Sequence, residues 1–285
     1  MAIKHRESFS GIKITGGKWR ADVSNAITSA DLSLSISQVN QLTISCDDPG
    51  FEFINKYRIP MDTWITYDSL KFSVASIELN EGGGEGGFVL TARPRAIRTL
   101  KRRTGKKTMK NVSPSTFVKE ECRLAKIKCV VQPSAKRSSV SRDVTEKGQQ
   151  NSEEENNTWT TFNRLAEELG FVCFELEDCI YFGQPTWFAQ NARMVRAGYR
   201  DGEYATTDIP NCTRSQDNHN RAVVSFSVPV ERQTDFRPGR VLDFRGMPGF
   251  TGRYFITEVG FDLAGGTNEV SVTAETPANP NPNSN

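Results

Sequence analysis

Residues 71–93 and residues 253–275 read as one piece of structure written twice, and they align without a gap. Gly83 and Gly84 meet Gly265 and Gly266, and Thr91-Ala92 meets Thr273-Ala274. Val74 meets Ile256, Ile77 meets Val259, and Leu90 meets Val272. Apolar runs on both sides of a glycine-rich link describe a pair of β-strands joined by a turn. A proline-led strand precedes each copy, at residues 60–67 and 238–244. Two related β units in one chain raise the question of what needs two similar domains before that of which reaction is catalysed.

At 285 residues the chain has the length for about two domains, each with its own core. Hydrophobic content is only 36%, which long polar stretches explain in part. A net charge of +2 supplies no global field for nucleic acid or a membrane surface. Residues 1–7 show no apolar run after their charges. Nor does any segment approach the ~18 apolar residues of a membrane span. The expectation is a protein made and folded in a cytoplasm, without membrane insertion.

The cysteines at Cys46, Cys122, Cys129, Cys173, Cys179 and Cys212 do not have zinc-knuckle spacing. The two histidines, His5 and His219, lie in polar surroundings. Cys122 falls in a helix, and Cys46 and Cys173 in strands, where an apolar residue would serve. Buried free thiols are expected ahead of a metal site or disulfide, with no cofactor.

Along the chain, Leu32, Leu34 and Ile36 alternate with serines, and Leu42, Ile44 and Cys46 alternate with polar residues, as in half-buried strands. Asp47-Asp48-Pro49-Gly50 then breaks the strand. Strands at 64–67, 72–79 and 88–92 complete a sheet. The glycine-rich link at 81–87 supplies the positive-φ positions of a turn and lacks the Lys-Ser/Thr and helix of a phosphate loop. A basic run from Arg93 to Lys110, including Lys101, Arg102, Arg103, Lys106 and Lys107, contains no acid. It reads as a solvated connector or a contact with an acidic neighbouring subunit. Polyanion binding is the weaker alternative, because a nucleic-acid groove would add stacking aromatics.

Ser113 as N-cap and Pro114 in the first turn start a helix with Phe117, Val118, Cys122, Leu124 and Ala125 on one broad face. Residues 132–157 are polar and charge-rich, and predict a long loop. A second helix is capped by Thr158, carries the stripe Trp159, Phe162, Leu165, Ala166 and Leu169, and stops at Gly170. Residues 171–176 and 179–182 form a tight hairpin across Glu177-Asp178. A polar segment follows Phe188, and β structure returns at 222–228, 241–244, 254–261 and 269–274. The tail 277–285 has no apolar core-forming content and is expected to be disordered.

The fold class is therefore α+β, mainly β: two similar β-barrel domains flanking a small α/β helix–hairpin insert. The expected boundaries are 1–110 for the first barrel with its basic connector, 111–200 for the insert, 201–276 for the second barrel, and 277–285 for the tail. Little here points to catalysis. A Ser-His-Asp arrangement could use only His5 or His219, and no His-Glu-x-x-His or nucleophile elbow is present. Glu167 and Glu168 diverge by ~100° on their helix and read as a solvated face. The expectation is a non-enzyme with no catalytic, cofactor-binding or metal-ligating residues.

In this order of elements the chain resembles a tailed-phage baseplate or tail hub protein of the late-control-D type. That family is related to the N-terminal part of type VI secretion spike proteins. Residues 39–49 resemble a first-barrel strand ending in an Asp-x-Pro-like turn, and residues 72–77 resemble a following strand. Trp159, Phe162, Leu165, Ala166, Leu169 and Gly170, followed by Phe174 and Ile180-Tyr181-Phe182, are similar to the central helix and hairpin. Residues 238–259 resemble the second barrel.

The resemblance implies a homotrimer whose six barrels match a hexameric tail tube and carry a central spike, a symmetry adaptor within the virion baseplate. Implied partners are the tail tube or a distal tail protein, a spike or tip protein, baseplate wedge proteins and a tape measure protein. Nucleic acid would be met only as DNA passing through the channel. The implied location is the virion tail, assembled in the host cytoplasm. The barrel edges and the hairpins at Gly83, Gly84, Glu85 and at Gly265, Gly266, Thr267 are the candidate contacts with ring neighbours or tube. Larger members carry a C-terminal lysozyme, peptidase or needle domain, and the expectation here is a chain without one. Two other readings stay open: a peptidoglycan-degrading tail hydrolase, and a nucleic-acid-binding barrel that uses the basic run.

Overall fold

The computed structural model describes residues 12–16, 19–20, 26–61, 63–67, 69–80, 86–105, 107–135, 138–142, 157–215, 221–262 and 269–278. The first β unit comprises β1 (Ile12–Gly16), β2 (Trp19–Arg20), β3 (Ile27–Ser35), β4 (Gln41–Asp47), the short helix α1 (Glu52–Tyr57), β5 (Trp64–Tyr67), β6 (Leu70–Asn80) and β7 (Gly87–Pro94). Alternation drives it: Leu32, Leu34, Leu42, Ile44 and Cys46 are buried while the residues between them face outward or lie half-buried. β4 ends at Asp47 because the Asp48 carboxylate accepts from the backbone N–H groups of Phe53 (2.8 Å) and Ile54 (2.9 Å), which starts α1.

The middle of the chain supplies α2 (Arg95–Lys101), β8 (Lys107–Val112), α3 (Pro114–Ala125), β9 (Lys128–Val131), β10 (Ser138–Arg142), α4 (Thr158–Leu169), β11 (Val172–Leu176), β12 (Cys179–Gly183) and α5 (Pro185–Asn191). β11, β12 and β9 form a small sheet, and β8 pairs with β10. A separate core lies here, where Ile97, Leu100, Phe117, Val118, Phe162, Leu165, Ile180 and Phe182 meet. Ser113 caps α3 as expected, accepting from Thr116 N at 3.2 Å, and Gly170 ends α4 at φ 62°.

Four expectations for this region need correction. Thr158 does not cap α4: Asn157 does, its Oδ1 accepting from Thr160 N at 3.0 Å, while the Thr158 hydroxyl turns inward to a buried ion cluster. The loop expected over 132–157 contains β10, held by pairing with β8; residues 143–156 lie outside the described residues. The basic connector is also structured, as α2 and β8. Leu124 is not on the buried face but 41% exposed.

The second β unit comprises β13 (Met194–Gly198), β14 (Asn211–Ser215), β15 (Arg221–Pro229), β16 (Val241–Arg245), β17 (Gly252–Asp262) and β18 (Glu269–Glu275). The segment after Phe188, expected to be polar connection, thus contributes two strands.

The duplication holds to the level of register. In β6 and β7, Val74 faces Ala92 and Ser76 faces Thr91, leaving Ala75 as the extra residue of a bulge. In β17 and β18, Ile256 faces Ala274 and Glu258 faces Thr273, leaving Thr257 in the same place. β4 lies beside β7 as β15 lies beside β18, with Ile44 facing Leu90 and Phe226 facing Val272. β5 lies beside β6 as β16 lies beside β17, with Ile65 facing Phe72 and Leu242 facing Tyr254. Beyond these the units differ: β1 joins β5 antiparallel, whereas β13 joins β16 parallel.

The two units merge into one 13-stranded sheet through β3, which pairs with β4 on one edge and β17 on the other. Among the described residues the order runs β14-β15-β18-β17-β3-β4-β7-β6-β5-β1-β2, with β16 and β13 branching from β17.

Candidate assembly site

The junction between the units is a strand pair with a dry face. Leu34 faces Val259 and Leu32 faces Phe261, and all four are at most 3% exposed. Burial of such side chains stabilises by roughly 1.5–3 kcal/mol each. The bulge contributes directly, because Thr257, the extra residue, turns its carbonyl out of the β18 ladder to accept from Ile36 N at 3.0 Å.

The β11–β12 turn wedges against this junction. Glu177 and Asp178 both have left-handed backbone, at φ 53° and 65°, as a two-residue type I′ turn demands. Asn-Gly would suit that turn better, but the two carboxylates bind outward. Ser69 Oγ donates to Glu177 Oε1 at 3.1 Å, and Arg95 Nε donates to Asp178 Oδ1 at 3.0 Å. Arg95 also lies 5.0 Å over the Trp64 ring. From the second unit, Arg237 Nε approaches Glu177 at 3.8 Å. Arg237 is 2% exposed, donates to the carbonyls of Gln233 and Phe236, and lies over the Phe261 ring. Tyr67 donates to Gln233 Oε1 at 2.7 Å, a further tie between the units.

Behind the turn, Asn40 Nδ2 donates to the Glu175 carbonyl at 2.6 Å and its Oδ1 accepts from Ser35 N at 2.8 Å. Glu175 Oε1 accepts from Asp178 N at 2.7 Å. Burial pushes the Glu175 carboxyl up to about 8, against the opposing pull of the Asn40 amide.

Part of the basic run finds its acid inside the same chain. Glu121, fully buried on the apolar face of α3, receives Lys107 Nζ at 2.6 Å, Arg142 Nη1 at 3.0 Å and Arg103 Nε at 3.3 Å. The Thr158 hydroxyl accepts from Arg142 at 2.6 Å and lies 3.3 Å from Glu121 Oε2. Burial alone would raise the Glu121 carboxyl, but the Lys107 hydrogen bond and the surrounding positive charges hold it below its ordinary value. Sequence reasoning missed this cluster. Its signal was available: Glu121 shares a helix face with Phe117, Val118 and Cys122, where an acid needs partners.

Of the residues singled out from sequence, Lys101 and Arg102 sit exposed at the end of α2, and Arg103 and Lys107 converge on Glu121. Gly83, Gly84, Glu85, Gly265, Gly266, Thr267, Lys106, His5 and His219 lie outside the described residues. All six cysteines are free, with Cys46 and Cys122 buried and the others half-buried. Burial pushes Cys46 up to about 12, so it is an inert thiol. Cys122 and Cys129 share a hydrogen bond that lowers Cys129 to about 7. Among the described residues no group of three or more His, Cys, Asp or Glu side chains is arranged to hold a metal ion. No described helix is long and apolar enough to cross a membrane.

No family model matches the chain, and no curated protein matches it in sequence. Solved structures do match. The 43 kDa tail protein of prophage MuSo2 from Shewanella oneidensis has a TM-score of 0.63 at 10% identity, covering 93% of this chain and 96% of that one. A tail protein from Neisseria meningitidis MC58 has a TM-score of 0.61 at 10% identity, covering 93% and 95%. An Escherichia coli component of the type VI secretion system, described as structurally similar to the T4 bacteriophage tail proteins gp27 and gp5, has a TM-score of 0.63 at 14% identity, covering 94% and 76%. At these identities the likeness is one of fold, and it spans nearly the whole chain. The architecture of two β units around an α/β insert is that of solved phage tail proteins and of a type VI secretion component, which bears out the resemblance at the level of fold.

Proposed function

We propose that this chain is a structural hub subunit of a phage tail or a related contractile injection machine. Three copies would form a ring in which six quasi-equivalent β units face a hexameric tail tube on one side and carry a threefold spike on the other. The observation that supports this best is the register-level duplication: matching strand pairs and a matching bulge, Ala75 in one unit and Thr257 in the other, give one chain two similar β units. A heterologous contact repeated around an axis closes into a ring when the rotation permits.

The division into two barrels around an insert follows the same reading, with the expected bounds at 110 and 200 moved so that α2 and β8 go with the insert and β13 with the second barrel. Its partners are the tube or a distal tail protein, the spike or tip, wedge proteins and a tape measure protein, with DNA only as channel cargo, within the virion. The role is structural rather than catalytic. Lys101, Arg102 and the hairpins around Gly83 and Gly265 are the proposed contacts with neighbouring subunits. Mass measurement in solution and electron microscopy test the reading. The expected result is a trimer with a central channel and near-sixfold appearance; a strict monomer under assembly conditions overturns it.

A further inference from the structure

We propose that copies of this chain join head to tail by strand pairing, the outer edge of β14 in one copy lying against the distal half of β6 in the next. The register would be the one that β3 and β17 use within the chain. This rests on the hub reading for the number of copies and supplies what that reading leaves open, the surface on which copies meet.

The bulge divides β17 between two neighbours. Residues 252–255 pair with β16, and residues 258–262 pair with β3. β6 is divided at the equivalent bulge: residues 70–73 pair with β5, but residues 76–79 have β7 on one side and, among the described residues, no strand on the other. The counterpart of β3 is β14. Leu32 faces Leu42 in the first unit, and Cys212 faces Val224, the counterpart of Leu42, in the second. β14 has β15 on one side and ends the strand order on the other. Among the described residues the β3–β17 contact is thus made once, and both halves of a second such contact have no strand beside them.

Carrying the register across places Ser76 opposite Ser215, Ile77 opposite Arg214, Glu78 opposite Thr213 and Leu79 opposite Cys212. Exposure fits this placement. Phe261, the counterpart of Leu79, is 3% exposed under β3, while Leu79 itself is 59% exposed. Leu79 and the half-buried Ile77 and Cys212 would lie on one face of the new pair, as Phe261, Val259 and Leu32 do inside the chain. Arg214 departs from the pattern by replacing Leu34. Its aliphatic stem can cover Ile77 while its guanidinium stays where it is, 5.4 Å over the Phe250 ring and bonded to the Gly249 carbonyl at 2.8 Å. Polar Thr213 and Ser215 oppose Glu78 and Ser76 on the other face, as suits paired strands. The occupant is a second copy because the complementary edge lies on this same chain, and an uncovered edge carrying Leu79 would invite indiscriminate pairing.

Leu79→Cys tests the register directly, using native Cys212 as the partner thiol. Under mild oxidation the variant is expected to give disulfide-linked dimers and trimers on non-reducing denaturing gels. Adding Cys212→Ser should abolish them, and Glu78→Cys, whose side chain lies on the opposite face, should give none. If the reduced Leu79→Cys variant is folded by circular dichroism but monomeric where the wild type assembles, the edge is equally supported. A wild type that forms trimers, with an assembled Leu79→Cys variant that does not cross-link, overturns this pairing and leaves the hub reading standing. A wild type that remains monomeric at every concentration overturns both.

Discussion

Two buried acids show how strongly position decides what a carboxyl group does in this protein. Glu121 is ionised among three cations, and removing its charge would leave Arg142, 8% exposed, without a counter-ion. Because Arg103 and Lys107 still reach solvent, Glu121→Gln is expected to cost about 2–4 kcal/mol in a denaturant melt rather than more. Its folded value lies below its ordinary one, so its contribution is present at neutral pH and lost as pH falls through the folded value. Glu175 behaves in the opposite sense. An unfolded glutamate releases its proton near about 4.3, whereas the folded group holds it to about 8. Stability is then complete below about 4.3 and declines as pH rises to about 8. Glu175→Gln keeps the acceptor for Asp178 N and removes the ionisable group. It should raise the melting temperature at pH 8 and change it little at pH 4.5; an equal shift at both values would contradict the assignment.

At the scale of elements, the bulges carry more of the design than their single residues suggest. Each lets one long strand turn its two halves toward different neighbours. Deleting Thr257 would close the bulge, keeping Val259 opposite Val272 and Phe261 opposite Val270, but it would remove the carbonyl that accepts from Ile36 N and the bend that turns the distal half of β17 toward β3. The expected loss is about 1–3 kcal/mol from the Ile36 N–H left without its acceptor, read from thermal melts followed by circular dichroism. The same scale explains what could be read in advance. The alternating Leu32, Leu34, Leu42, Ile44 and Cys46, the stripe on α4 and the turn at Glu177-Asp178 were legible because burial on one face imposes a period. β10, β13 and β14 were not. β14, Asn-Cys-Thr-Arg-Ser, is exposed along nearly its whole length and, among the described residues, pairs on one edge, so no apolar alternation marks it. β8 and β10 hold each other by backbone pairing, with Met109 and Val140 as the main apolar content. The ties at Glu177 and the cluster at Glu121 joined residues far apart in sequence, which periodicity does not reveal.

For the whole molecule, one continuous core runs through both β units, from Leu32 and Ile44 to Val259 and Val272, while the insert keeps a second core around Phe117 and Phe162. The two β units are therefore expected to melt together. Calorimetry should show at most two transitions, the smaller belonging to the insert; separate melting of the two units would count against the shared core. The insert also separates the repeats in time. β3 is complete when residue 35 has been made, but β17 ends at residue 262. At ribosomal speeds that gap lasts on the order of ten to forty seconds. Throughout it a nascent chain displays an edge already shaped for β17, beside other nascent chains on the same message. The strand that welds the two halves of the finished protein is thus also its point of greatest risk during synthesis, where a neighbour's β17 would fit as well as its own.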